Sequence, residues 1–294
     1  MSRHHRTSGR HRAAPTARRA LGSLLALGTL AGAAAAAAVA PSASAAPGNV
    51  VVLGDSLAAN PNLVDYLSGK ITPLPGGRLD GVGCGSDQRF ANAVGAGSGL
   101  PAENYTCAGA SFRTGGLHVT DQADRAAAQG ALTGDTREVV IFAGANDTYP
   151  YATFTPNPMP VPQIRENLRV AIRDTVNHVR SLAPNAEIKI TGYPRMTNDN
   201  RDVCLLNVIP GAPVQDKIFR TGEFEDAIQW AQIDGARDAG ARFIDVKPLS
   251  WDHGMCSNDR WMAGLIDTTS GPRNLPLHMT DAGLDAVGRF VGEA

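Results

Sequence analysis

After residue 45 the chain has no cluster of basic residues, no Cys-x-x-Cys, no His-Glu-x-x-His and no P-loop. Each absence removes a class of function. Without a basic patch there is no general attraction for nucleic acid. Without paired thiolates, or histidines at ligand spacing, no metal site is expected. Gly81, Gly83 and Gly85, and again Gly95, Gly97 and Gly99, make glycine-rich stretches. Neither completes Gly-x-Gly-x-x-Gly, so no nucleotide and no other cofactor is expected. A Gly-x-Ser-x-Gly elbow is also missing, because Ser56 is followed two positions on by Ala58. That argues against the fold in which a nucleophile is carried on such an elbow. There is no internal repeat and no linker.

The positive charges that do stand together lie at the start. Residues 1–19 hold Arg3, Arg6, Arg10, Arg12, Arg18 and Arg19 and no acid. An apolar run from Leu21 to Ala40 follows, then Ala43-Ser44-Ala45. Basic, apolar, small-x-small is the order of a secretory signal peptide. A membrane anchor is the alternative, but the run is rich in Ala and Gly and a cleavage pattern follows at once, so no stable membrane insertion is expected. Cleavage is placed after Ala45, since Pro47 is a poor residue just after a cut. Arg18-Arg19 leaves a twin-arginine route open beside the general one. The mature chain, 46–294, is then a secreted, extracellular protein of one domain, expected to be monomeric. Removing six arginines from 27 basic residues leaves 21 against 28 acidic ones, a formal charge of −7.

All four cysteines, Cys84, Cys107, Cys204 and Cys256, lie in that mature part. An even count in an exported chain favours disulfides. Of the three possible pairings the sequential one is favoured, Cys84–Cys107 and Cys204–Cys256, because each closes a local loop rich in Gly, Pro and Asn. Such closures stabilise by roughly 3–4 kcal/mol each in the loop-entropy model.

Apolar runs at Asn49–Leu53, Glu138–Ala143, Glu187–Thr191 and Arg242–Val246 read as buried strands. Ile164, Leu168, Ile172, Val176, Val179 and Leu182 form a helical stripe bounded by Pro162 and Pro184. Phe224, Ala227, Ile228 and Ala231 suggest a second helix. Leu284, Val287 and Val291 suggest a last one capped by Thr280. Ala58–Gly69 and Val119–Gln129 are weaker helical patterns. The segment Ile71–Pro101 lacks periodicity and reads as a long loop held by a disulfide. Strands alternating with helices predict an α/β sandwich on a parallel sheet.

Ligands in such sheets bind at the carboxyl ends of the strands. Gly54-Asp55-Ser56-Leu57 puts a serine directly after a strand, with backbone N–H groups around it. Read alone, Ser56 is as well explained as a helix cap. Gly144-Ala145-Asn146-Asp147 ends a second strand, where an Asn amide can donate to a developing negative oxygen or merely form an Asx-turn. Gly109, in Cys107-Ala108-Gly109-Ala110, offers a backbone N–H or a tight turn. A serine nucleophile needs a base. His178 lies in the helical stripe, His118 heads a helix and His253 sits in a loop. His278 precedes the final helix and is the best placed of the four.

In the order Ser, Gly, Asn, His these blocks resemble those of the GDSL-type SGNH hydrolases, and most of all the secreted actinobacterial esterases and lipases. The resemblance spans essentially the mature chain. It implies a three-layer α/β/α, flavodoxin-like fold. It implies Ser56 as nucleophile, His278 as base, and an oxyanion hole made by the Ser56 N–H, the Gly109 N–H and the Asn146 amide. One position departs. The family usually has an Asp three residues before the histidine, and here Leu275 stands there. Either the Leu275 carbonyl orients the imidazole in a Ser56–His278 dyad, or Asp252, Asp259 or Asp267 supplies a carboxylate. The expected reaction is hydrolysis of a small-molecule or lipid carboxylic ester. Carbohydrate O-deacetylation, and a secreted binding protein without chemistry, are the alternatives.

Overall fold

The computed structural model describes residues 48–62, 84, 87–115, 117–152, 156–216, 220–271 and 275–294, all within the unit Pro41–Ala294. The proposed signal segment, most of the helical pattern at Ala58–Gly69, and the first part of the Ile71–Pro101 segment lie outside the described residues.

Five strands form one parallel sheet: β1 (Val50–Gly54), β2 (Ala102–Asn104), β3 (Glu138–Phe142), β4 (Glu187–Thr191) and, later in the chain, β7 (Arg242–Ile244), in the order β2-β1-β3-β4-β7. Val50–Leu53 and Val139–Phe142 are fully buried, as continuous apolar strands covered on both faces must be. The four long apolar runs all become strands. The edge strand β2 has no such run and was not legible. Between β1 and β3 the chain reverses its direction of travel across the sheet, which opens a crevice at their carboxyl ends.

Helices cover the sheet: α1 (Ser56–Ala59), α2 (Arg89–Ser98), α3 (Val119–Ala128), α4 (Tyr149–Ala152), α5 (Val161–Leu182), α6 (Thr221–Asp238) and α7 (Asp281–Glu293). In α5 the expected stripe is the buried face, with Ile164, Leu168, Ile172, Val176 and Val179 nearly inaccessible. α5 packs on α6, and α2 on α7. The cap of α7 is Thr280, whose hydroxyl accepts from the Gly283 N–H at 3.2 Å.

Helix α2 corrects an expectation, since it lies where a loop was predicted. Its glycines lower intrinsic helicity, but Gly97, with Gly288 and Gly292 of α7, is what lets the two helices approach. A Cβ on Gly97 would collide with the Arg289 carbonyl, and one on Gly292 with the Val94 carbonyl. One on Gly288 would lie 2.7 Å from the Ala93 Cβ and 2.8 Å from the Phe90 carbonyl. Tertiary packing overrides propensity here.

A second, small sheet was also not legible: β5 (Val203–Asn207), β6 (Val214–Asp216) and β8 (Ile266–Asp267), in the order β6-β5-β8. Both disulfides form as expected, Cys84–Cys107 and Cys204–Cys256. The second ties β5 to the segment before the histidine loop. No helix among the described residues is long and apolar enough to cross a membrane.

Gly292→Ala and Gly97→Ala each force the two backbones apart, and each is expected to destabilise the fold by about 1–3 kcal/mol. Urea or thermal denaturation measures this; wild-type stability in both would show that the α2–α7 contact is looser than described.

Candidate functional site

The site begins where β1 leaves the sheet. A Cβ on Gly54 would collide with the Phe142 carbonyl, so no other residue fits. The Gly54 N–H donates to Gln122 Oε1 at 2.8 Å. Its carbonyl accepts from Gln122 Nε2 at 2.8 Å and from the Cys107 N–H at 3.0 Å. The Asp55 N–H donates to the Phe142 carbonyl at 2.9 Å. The strand end is thus held from both sides. Gln122 reaches it from α3, and no sequence pattern marked that residue.

Asp55 caps α1: its Oδ1 accepts from the Leu57 N–H at 2.9 Å. Ser56 is therefore the first residue of the helix and not its cap, and its side chain is half-buried at the rim. Asp55 Oδ2 accepts from the Tyr193 hydroxyl. The same Tyr193 oxygen accepts from the Ala145 N–H at 3.0 Å. One buried carboxyl thereby joins the ends of β1, β4 and β3. Burial pushes the Asp55 carboxyl up to about 7, against the bonds from Tyr193 and Leu57 that favour its charge. Tyr193 is raised well above the ordinary phenol by burial and by facing Asp55. Tyr193 follows β4 in Gly192-Tyr193-Pro194; its place at a strand end was the one available clue.

His278 lies in the loop before α7. Its Nε2 is 2.7 Å from Ser56 Oγ, and its Nδ1 is 2.8 Å from the Pro276 carbonyl oxygen. The expectation for Leu275 is corrected by one residue. The Leu275 carbonyl instead accepts the backbone N–H of His278 at 3.2 Å. Leu277 sits at φ 65°, and the turn it makes brings the Pro276 carbonyl to the ring. A carbonyl only accepts, so Nδ1 must carry the proton and Nε2 the lone pair. This tautomer can take a proton from a serine hydroxyl.

The candidate carboxylates turn elsewhere. Asp267 forms a buried bidentate pair with Arg260, at 2.7 and 2.8 Å, and accepts from the Gly264 and Thr269 N–H groups. Burial pushes its carboxyl up, but Arg260 and those amides outweigh this and hold it well below the usual range. The Asp259 carboxylate lies 3.4 Å from His253, whose ring stacks on Trp261. Asp252 is exposed. His118 caps α3, and His178 pairs with Asp124 on the surface.

The histidine loop is itself strapped down. The Ala263 N–H donates to the His278 carbonyl at 2.8 Å, and the Thr280 N–H to the Trp261 carbonyl at 2.9 Å. Arg260 and Asp267 bracket that strap.

Asn146 lies in a 3-10 turn, Ala145–Asp147, at the end of β3. One of its amide hydrogens goes to the Ala110 carbonyl at 2.7 Å, and the amide has a second to offer. Among the described residues the Ser56 and Gly109 N–H groups donate to no protein acceptor. Gly109, at φ 81°, is exposed, in a backbone region that favours glycine. Asp147 locks these loops together: it is buried and accepts from the Phe112 and Arg113 N–H groups at 2.8 and 3.0 Å and from the Thr114 hydroxyl at 3.2 Å. Burial raises its carboxyl in spite of these bonds. Among the described residues no three His, Cys, Asp or Glu side chains gather as a metal would require.

The raised Asp55 carboxyl has a consequence for stability. Its folded value of about 7 exceeds the ordinary 3.8, so the folded state binds the proton more tightly. That stabilisation is complete below about pH 4 and is lost as pH rises through about 7. Asp55→Asn lacks this dependence. The stability of the wild type relative to Asp55→Asn should therefore fall between pH 4 and 7, by on the order of 4 kcal/mol. Urea titrations across that range test it, and a difference independent of pH would contradict a protonated Asp55.

Comparison with known proteins places this geometry. The model of the GDSL-like lipase/acylhydrolase family matches residues 52–286. No curated protein matches the chain by sequence. Phospholipase A1 from Streptomyces albidoflavus NA297 is similar in structure, with a TM-score of 0.53 at 19% identity, over 84% of this chain and 97% of that one. The extracellular lipase from Streptomyces rimosus has a TM-score of 0.54 at 18% identity, over 83% and 97%. At that identity the likeness concerns the fold. The match of the family model over most of the chain is what decides membership, and the chain belongs to the GDSL-like lipase/acylhydrolase family.

Proposed function

We propose that the protein is a secreted serine esterase or lipase that hydrolyses carboxylic esters through an acyl-enzyme on Ser56. The observation that carries this reading is the 2.7 Å approach of His278 Nε2 to Ser56 Oγ, with the opposite ring nitrogen on a carbonyl acceptor. His278 removes the hydroxyl proton as Oγ attacks the ester carbonyl. The negative oxygen that forms is received by the Ser56 N–H, the Gly109 N–H and the Asn146 amide. His278 then gives its proton to the departing alkoxide. Water, activated by the same ring, releases the acid and frees Ser56.

The base works as a dyad with the Pro276 carbonyl. The carbonyl fixes the tautomer, though it brings no negative charge to the imidazolium as a carboxylate would. Turnover falls on acidification because a protonated ring cannot accept from Ser56. Export through the basic and apolar segment 1–45, cleaved after Ala45, agrees with two disulfides, which persist in oxidising compartments.

A fluorophosphonate should label Ser56 in the wild type and leave Ser56→Ala unlabelled. A chain-length series of p-nitrophenyl esters, with acetylated sugars beside it, reads the substrate class. Ser56→Ala should abolish turnover, and Asn146→Ala should lower kcat by about 10²–10³-fold. Residual activity above a few per cent in Ser56→Ala rules out the nucleophile. Asp252→Ala and Asp259→Ala should keep their turnover; a loss of about 10²-fold or more in either, with the fold intact, replaces the dyad with a triad.

A further inference from the structure

We propose that the outer face of the small β6-β5-β8 sheet docks the enzyme on aggregated, uncharged ester, setting the Ser56–His278 site at a lipid–water interface. This rests on the ester-hydrolase reading and adds the physical state of the substrate. Leu206 in β5 stands opposite Val214 of β6 and opposite Ile266 of β8. Residues directly opposite in a sheet share a face, so the three side chains form one row across all three strands. That row faces solvent, with exposures of 39%, 51% and 53%. Val208, two residues beyond Leu206, is also exposed, as are Leu265 and Leu277. The Leu277 N–H donates to the Gly264 carbonyl at 3.2 Å, which ties the residue before His278 to the segment that leads into β8. Contiguous exposed apolar surface of this kind marks an interaction site.

Charge and position identify the occupant. Residues 203–215 and 261–266 contain no charged side chain, in a chain that is 19% charged. The flanking Arg260 and Asp267 are spent on each other, with side chains only 8% and 3% exposed. Such a face attracts neither an acidic headgroup layer nor a basic partner, and an uncharged acyl phase suits it. Leu277 is both exposed and at φ 65°, a conformation costly for leucine. Folding alone would favour glycine or asparagine there; contact with acyl chains gives a leucine beside the base a use.

The test uses the triple variant Leu206→Ser, Val214→Ser, Ile266→Ser, with Val214→Ser alone as an edge-strand control that spares the sheet. Adsorption to triacylglycerol emulsion droplets is measured in a Ser56→Ala background, so it reads the surface without turnover. The triple variant should adsorb at least about tenfold more weakly, and the single variant by a smaller factor. In the active background, turnover of emulsified ester should fall in step, while turnover of dissolved p-nitrophenyl butyrate stays unchanged. Undiminished adsorption overturns the proposal. So does an equal loss on both substrates, or a wild-type dimer that the triple variant dissociates while droplet binding persists. A wild type that adsorbs but never turns over the dissolved ester instead counts against the hydrolase reading.

Discussion

The buried carboxyl of Asp55 is the point on which the rest of the site hangs. It caps the helix that carries Ser56 and receives the Tyr193 hydroxyl. Through that hydroxyl it also holds the Ala145 N–H at the start of the Asn146 turn. The segments that carry Ser56 and Asn146 are thereby referred to one group at the carboxyl ends of three strands. An unpartnered carboxyl there would be costly; burial instead lifts it to about 7 and two donors satisfy it. The motif's acid serves architecture, and its neighbour Ser56 is left facing His278.

His278 is held by a different device. The His278 loop pairs with residues 261–264, and the Arg260–Asp267 ion pair ties together the two ends of that segment. Asp267 is committed to Arg260 and the Asp259 carboxylate is exposed beside His253, and the His278 ring meets a backbone carbonyl. A carbonyl is weaker than a carboxylate against a charged imidazolium, but it imposes the same tautomer. The strained Leu277 makes that geometry possible and leaves a leucine exposed at the edge of the apolar face.

Much of the molecule was legible from residue order. Long apolar β-branched runs name β1, β3, β4 and β7, and the stripe from Ile164 to Val179 names α5, because burial on two faces or on one face imposes a period on the chain. β2, with two half-buried residues and one exposed, imposes none. Helix α2 was hidden because its glycines are poor for a lone helix, while Gly97 is needed for contact with α7 and Gly95 packs on Leu100 and Ala102. The small sheet was hidden because its outer face is apolar like its inner one, so alternation disappears.

The sequence by itself determined the chemistry on offer: a serine, a glycine amide, an asparagine amide and a histidine in a recognisable order, and four cysteines whose nearest partners are also their right ones. Those depend on residue identity and local spacing. Only the tertiary structure decided which carbonyl faces the imidazole and that Gln122, Tyr193 and Asp147 hold the rim. It also decided that Leu206, Val214 and Ile266 line up in one row across the small sheet. These are contacts between segments far apart in the chain, and a one-residue change in a turn, as from Leu275 to Pro276, leaves no trace in periodicity or composition.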